Sequence, residues 1–504
     1  MQTRAGRPPL MPAPINGRVS IPAVPPRVSF PQVGAWAGLA AAIAVMFQSP
    51  GYPYLPFFLG LIGGAFVLVA TSPAWALAPV VMAELSAGDH IIGNLGVSLR
   101  LAVVGVAMLL TFPLVLRNLD LTDGRVTRVL FPTVAFIAVA TLANSLFSEA
   151  DWVIKYLRYQ LTGLATLLLF ACLAPDRRSL RGPALAALGF GVLAAVASVW
   201  QHFDPNSALY AAAGPGHVGS LKGRAVGLTT HPVNLANDML FIFMPLLGVL
   251  AVGPLRTART RLLLGGAAGV VGIGAYFTYT RSIPLAVGAG LVMIALLLKG
   301  FRRVLLLGVV LGGFLFFQFA QGTGLVGHRY YRTADEDVSA LSHEVLWQLG
   351  FAVAMDHPLL GIGNEHFEEV VVDYFRQVTG AAAAAGQRPH NDFLNVWLSW
   401  GTGALLVYVL MFAGSLANYI QAARLSSGWV RGLAVGGAGG LVAYGVNSAF
   451  HNSLDSSTFL WMLAGLSVAL VRLNDLNNPE SGSSRVISRS GRTFRVQRNG
   501  TGAP

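Results

Sequence analysis

The chain has 504 residues, of which 54% are hydrophobic and only 11% charged, and its mean hydropathy is +0.61. A water-soluble domain carries roughly 25% charged residues, so a purely soluble enzyme is excluded, as is a chain disordered throughout. The 34 Lys and Arg against 22 Asp and Glu leave a formal net charge of +12, which in so apolar a chain reads first as a signal of membrane orientation.

Residues 1–32 are rich in Pro and Arg and hold no apolar core. They read as a cytoplasmic N-terminal segment, not as a signal peptide. From residue 33 onward the chain predicts an all-α polytopic membrane protein of about 12–14 transmembrane helices, since each span needs roughly 20 apolar residues. The expected spans lie near 33–49, 54–72, 75–94, 97–117, 129–147, 158–174, 183–202, 235–253, 263–279, 282–299 and 303–320, then 391–415, 432–450 and 457–472. The 75–94 stretch contains Glu84 and Asp89 and is the weakest of them. The single cysteine, Cys172, sits in an apolar run and supports neither an intrachain disulfide nor a thiolate metal site.

Arginine placement orients these spans. With the N-terminus in the cytoplasm, Arg117, Arg125, Arg128, Arg177, Arg178, Arg181, Arg256, Arg259, Arg261, Lys299, Arg302, Arg303, Arg424, Arg431 and Arg472 all fall on the inner side, as the positive-inside rule requires. The tail at 473–504 is rich in Ser, Gly, Asn and Arg and reads as a disordered cytoplasmic segment. It has no nucleic-acid reader motif. The outer side carries two long segments, 203–234 within the first block of spans (33–320) and 321–390 ahead of the last (391–472). The second is acidic, and its helical periodicity around Leu341–Met355 and Phe367–Phe375 predicts a subdomain of short helices.

The chain lacks HExxH, GxSxG and Walker A patterns, so metal-ligand spacing and the common nucleophile motifs are absent. Three blocks share the outer side. One is Gly223-Arg224-Ala225-Val226-Gly227-Leu228 with His231-Pro232-Val233-Asn234-Leu235-Ala236. The next is Thr278-Tyr279-Thr280-Arg281-Ser282, and the last is Arg388-Pro389-His390-Asn391-Asp392-Phe393-Leu394. Each has a plain alternative. Arg281 also reads as a headgroup anchor, Arg224 as a lipid-facing loop residue, and Asn391 or Asp392 as the helix cap beside His390. Together they offer two guanidinium forks, which match phosphate oxygens, and an imidazole able to accept a proton near neutral pH. Such a set suits glycosyl transfer from a pyrophosphate leaving group without a metal or cofactor. Lys155 and Arg158, one helical turn apart, read as phosphate contacts or as helix-end anchors. Gly361 and Gly363 read as a tight turn, with a backbone phosphate cradle as the alternative.

Asp356-His357-Pro358-Leu359-Leu360-Gly361-Ile362-Gly363-Asn364 through Phe367, then Pro389-His390-Asn391-Asp392-Phe393-Leu394 and Trp400-Gly401, resemble the O-antigen ligase and O-antigen polymerase superfamily. The Arg224 and Arg281 blocks are similar to its arginine blocks. The resemblance implies a GT-C-like membrane glycosyltransferase of the bacterial inner membrane, with its site facing the periplasm and both termini cytoplasmic. Its donor would be a glycan on undecaprenyl pyrophosphate, and its acceptor another glycan or lipid A-core. His390 would be the base, Arg224 and Arg281 would bind the pyrophosphate with Arg388 near them, and Asn391 would orient the site. Membrane lipid and other polysaccharide-assembly proteins are the remaining expected partners, and nucleic acid is not one. Polymerase is preferred to ligase on span number and on the extended acidic loop. A lipid-linked sugar transporter predicts ionisable groups deep in the spans, and a non-catalytic export component leaves the Arg–Arg–His set without a purpose.

Overall fold

The computed structural model describes residues 55–86, 91–92, 97–174, 176–204, 224–252, 257–300, 302–304, 306–313, 338–374, 388–454 and 456–473. The expected span at 33–49, both terminal segments apart from Leu473, and most of the 203–234 segment lie outside these residues. The 303–320 span lies only partly within them.

The polytopic helical architecture expected from the sequence is what the structure shows. In chain order the helices are α1 (Leu55–Leu68), α2 (Leu77–Glu84), α3 (Leu99–Asn118), α4 (Gly124–Phe147), α5 (Ala150–Cys172), α6 (Arg177–Phe203), α7 (Pro232–Val252), α8 (Ala258–Tyr276), α9 (Ser282–Leu297), α10 (Val338–Asp356), α11 (Phe367–Val370), α12 (Asp392–Leu425), α13 (Gly428–Ser448) and α14 (Phe459–Arg472). A two-residue antiparallel ladder pairs Ile91–Ile92 with Val97–Ser98. Among the described residues five helices, α3, α4, α6, α7 and α12, are individually long and apolar enough to cross a membrane, and α9 and α14 are shorter apolar helices. Exposed side chains such as Leu109, Phe131, Leu185 and Leu262 clothe the outward faces. A belt of that kind suits hydrocarbon, not water.

The glycines of α13 make it the central packing surface. A Cβ on Gly248 of α7 would lie 2.3 Å from the Gly432 carbonyl, and one on Gly436 would lie 2.4 Å from the Met244 carbonyl. The backbones of α7 and α13 therefore touch, the close approach that small residues permit in membrane helices. Its own apolarity matters less, because α7, α9, α12 and α14 cover it.

Two ends of the bundle differ in chemistry. At one end Arg472 donates to the Asn118 carbonyl at 3.0 Å, Asn118 to the Cys172 carbonyl at 2.9 Å, Asn418 to the Arg125 carbonyl at 2.9 Å, and Arg302 to the Ala251 carbonyl at 2.6 Å. Asp123 and Asp176 cap α4 and α6 there. This basic end gathers the described arginines that the orientation count assigned to one side. Their common placement follows from the alternation of helix direction.

The 75–94 stretch differs from expectation. Its helical part is a 3-10 turn, Pro73–Ala76, followed by the eight-residue α2. It still runs between the two ends. Trp75 lies against Gly182 near the start of α6, whereas Glu84 lies at the opposite end, where its carboxylate accepts from the Thr458 N–H at 2.7 Å, the Thr458 hydroxyl at 2.8 Å and Arg100 at 2.6 Å. Arg100 also donates to the Ser456 carbonyl at 2.6 Å. Burial of Glu84 is possible because its carboxylate is paired with Arg100 and accepts from Thr458. Removing one partner strands the other, so Glu84→Ala is expected to cost about 3–5 kcal/mol. The melting temperature in detergent should fall more for this variant than for the double apolar replacement Glu84→Met with Arg100→Met. Equal melting temperatures would show that the pair is not a clamp.

Candidate functional site

The end opposite the basic loops brings the sequence blocks together. Gln201, fully buried on α6, holds the first of them. Its side-chain oxygen accepts from the Val226 and Gly227 N–H groups at 2.9 and 2.8 Å, and its amide donates to the Gly227 carbonyl at 2.8 Å. The Ala225 N–H reaches the Phe277 carbonyl at 2.9 Å. Arg224 is thereby laid against the 278–280 turn. Its Nε donates to the Thr278 carbonyl at 2.9 Å and its Nη2 to the Thr280 hydroxyl at 3.3 Å. Two donors of the fork are spent on setting its plane. The same turn carries Tyr279 in the left-handed region, φ 49°, and delivers Arg281 exposed at the start of α9. The two arginine blocks are thus one structural unit.

The third block rests on a break in α12. Gly401 has φ 82° and ψ 177°, and the 358–363 turn docks into the gap. The Ile362 and Gly363 N–H groups donate to the Leu398 and Ser399 carbonyls at 2.9 Å each, and the Thr402 N–H donates to the Pro358 carbonyl at 2.7 Å. Gly361 and Gly363 have φ of 66° and 75°. Their N–H groups are committed to the His357 and Ser399 carbonyls, which favours the turn over the phosphate cradle. Asn364 and Asn144 fasten this unit to α4. Asn144 accepts from the Asn364 N–H at 3.1 Å and from the Trp400 indole at 3.0 Å. Arg388 donates to the Asn364 side chain at 2.5 Å, so its fork faces this latch. A small core of Leu346, Leu349, Val353, Phe367, Val371, Leu394 and Leu398 seats α10 on the start of α12.

His390 follows on this support. Asn391 caps α12, its side-chain oxygen accepting from the Leu394 N–H at 3.1 Å, so the capping alternative holds for that residue. Asp392 turns instead to the 449–458 loop and accepts from the Ser453 and Leu454 N–H groups at 3.1 and 3.0 Å. Asn395 donates to the Pro389 carbonyl at 2.7 Å and to Asn452 at 2.5 Å. The His390 ring lies 4.8 Å from the His343 ring of α10. Burial pushes the His390 imidazole below its ordinary value, which keeps it neutral and able to accept a proton.

Several members of the site had no motif to mark them. His451 bonds Ser282 at 2.9 Å, and Ser282 donates to Asn447 at 2.5 Å. Asn447 donates to Asn237 at 2.6 Å, and Asn237 to Ser453 at 2.9 Å. Burial first, and then repulsion by the Arg224 guanidinium and by His343, His390 and His231 whenever these are protonated, push the His451 imidazole down to about 3. The Ser282–His451 bond and the neighbouring Asn395–Asn452 bond tie the arginine unit and the third block to a common region. Asp238, which the sequence puts near a span end, is buried and lines a small cavity with Glu84, Arg100 and Asn234. Lys155 is exposed on α5, with its ammonium 4.0 Å from the centre of the Trp152 ring, and Arg158 lies 5.9 Å from the Tyr159 ring.

Residues 266–409 match the family model described as O-antigen ligase. The match spans Arg281, the 358–363 turn, His390 and Gly401. Arg224 and His451 lie outside it. No curated protein matches the chain.

Proposed function

The chain carries an O-antigen ligase domain over residues 266–409, and from that premise we propose a GT-C-like membrane glycosyltransferase that transfers or polymerises a glycan held on undecaprenyl pyrophosphate. The observation that carries the proposal is the meeting of the Arg224–Arg281 unit with the His390 segment, through Ser282, His451, Asn452 and Asn395, at the end away from the basic loops. The positive-inside rule turns the basic end to the cytoplasm and the histidine end to the periplasm. His390 takes the proton of the acceptor hydroxyl. The acceptor oxygen bonds the anomeric carbon of the donor while the bond from that carbon to the pyrophosphate oxygen breaks. The electron pair leaves with undecaprenyl pyrophosphate, and the guanidiniums of Arg224 and Arg281 stabilise its growing charge. Arg388 and Asn391 hold the His390 segment. Because two permanent cations supply this stabilisation, transfer needs no divalent metal.

A strain lacking the gene tests the reading. Loss of long chains identifies a polymerase, and accumulation of glycan not attached to lipid A-core identifies a ligase. Either defect should be restored by the wild-type protein, and membranes from the restored strain should transfer in EDTA. Unchanged chain length together with unchanged attachment would overturn the glycosyltransferase reading.

A further inference from the structure

The basic end of the bundle holds a cavity that the glycan chemistry does not use. It has a volume of about 690 Å³ and lies between α2, α5, α6, α7, α8, α13 and α14. That is the size of a ligand site. Phe170, Leu185, Leu188, Leu246, Leu433 and Leu466 line it. Leu185 also belongs to the exposed outward belt, so the cavity opens sideways onto the surface that suits hydrocarbon. Water finds little to bond on so apolar a wall. The polar lining residues, Arg181, Thr260 and Trp429, stand together at one rim, near the starts of α6, α8 and α13.

Guanidiniums gather at that rim. Arg181 lines it and is exposed. Arg177 lies one turn before Arg181 on α6 and reaches the Ser427 hydroxyl at 3.5 Å, beside the lining residue Gly428. Arg431 lies one turn after Ser427, its N–H donating to the Ser427 carbonyl. The Nε atoms of Arg177 and Arg431 are buried with no hydrogen-bond partner among the described residues. Asp176, next to Arg177 in the chain, is committed to capping α6, where it accepts from the Arg178 and Ser179 N–H groups at 2.7 and 2.8 Å. A buried guanidinium N–H left unmatched is costly, and phosphate oxygens are acceptors that its fork fits.

We propose that this cavity binds an anionic glycerophospholipid from the leaflet at the basic end, with an acyl chain along the apolar wall and the phosphate on the rim arginines. Basic pockets between membrane helices take anionic headgroups for this reason. Charge complementarity selects the occupant. The wall alone would accept any long hydrocarbon, including the polyprenyl tail of the donor. That donor, in the function proposed above, places its pyrophosphate at the opposite end and leaves the rim arginines unmatched. A second copy of the chain joined through this face would set arginine against arginine.

Trp429, on the wall, is the reporter. The full-length protein is reconstituted in phosphatidylcholine vesicles. Phosphatidylglycerol with brominated acyl chains, which quench indole fluorescence on contact, is added at increasing mole fraction. The Trp429 signal is the difference between wild type and Trp429→Phe. Its half-quenching point should lie at least about fivefold below that for brominated phosphatidylcholine, the preference that one guanidinium confers near a membrane surface. Arg181→Gln combined with Arg431→Gln should bring the two lipids within about twofold. Equal half-quenching points in the wild-type protein, or a preference untouched by the double substitution, would overturn the proposal. So would displacement of the brominated lipid by less undecaprenyl phosphate than unlabelled phosphatidylglycerol, which would make the cavity a polyprenyl site. Where the double variant does not fold, the lipid comparison and the displacement on the wild-type protein decide. None of these readouts requires glycan transfer, so the site stands or falls apart from the glycosyltransferase reading.

Discussion

His390→Ala is expected to lower glycan transfer by about 10²–10⁴-fold, the usual worth of a positioned general base, while the protein still inserts and melts close to wild type. The fold does not lean on this ring. The segment is held through the Pro389 carbonyl by Asn395 and through the Asn391 cap, both of which survive the substitution. Transfer by the purified variant in vesicles gives the number, and an unchanged rate removes His390 from the base role. The wild-type enzyme should also lose rate as pH falls. Burial lowers the His390 value, so the neutral base is fully present above about 6.5 and is lost only as pH passes down through the lowered folded value. The fold weakens in the same direction. An unfolded His451 takes up a proton near 6.5, whereas the folded one resists it to about 3, so stability is complete above that window and falls within it. Melting temperatures recorded at each pH separate the two effects.

The sequence made the arrangement of ends legible, because it depends only on span parity and on the side where most of the arginines gather. The blocks around Arg224, Arg281 and His390 were legible for a related reason. Each sits where an apolar run meets a loop, and fork-shaped and titratable side chains at such places stand out. His451 did not stand out. It lies in 451–456, a short run of Ser, Asn and Asp that reads as an ordinary gap between two spans. The available signal was single amides inside apolar helices, Gln201, Asn237 and Asn447, since a buried amide needs partners. What they partner is set by helix packing, and the Ser282–Asn447 contact joins residues 165 positions apart. The 75–94 stretch shows the same limit. Glu84 weakened it as a span, but the reason a carboxylate could be buried there lies in Arg100, Ser456 and Thr458. Only the last two come from the far end of the chain, and no local pattern announces them.

The break in α12 gives the second large effect. In an uninterrupted helix the Thr402 N–H would bond the Leu398 carbonyl and the Gly403 N–H the Ser399 carbonyl. Here Leu398 and Ser399 accept from Ile362 and Gly363, and Thr402 donates to Pro358. The 358–363 turn therefore replaces the helix's own bonds, and the exchange requires a conformation at residue 401 that is essentially open only to glycine. An added Cβ would also lie 2.0 Å from the Leu359 carbonyl oxygen. Gly401→Ala combines about 1–3 kcal/mol of backbone strain with a clash that expels the turn. It should release the Arg388–Asn364 latch and the support beneath His390. We expect a melting temperature well below wild type, new protease sensitivity within 357–374, and transfer reduced at least as far as by His390→Ala. Gly403→Ala is the matched control. It lies two residues on in the same helix, with nothing within 4 Å of an added Cβ, and should be neutral or stabilise by about 0.5–1 kcal/mol. Similar melting and proteolysis for the two variants would mean that the turn is not what the break in α12 is built to receive.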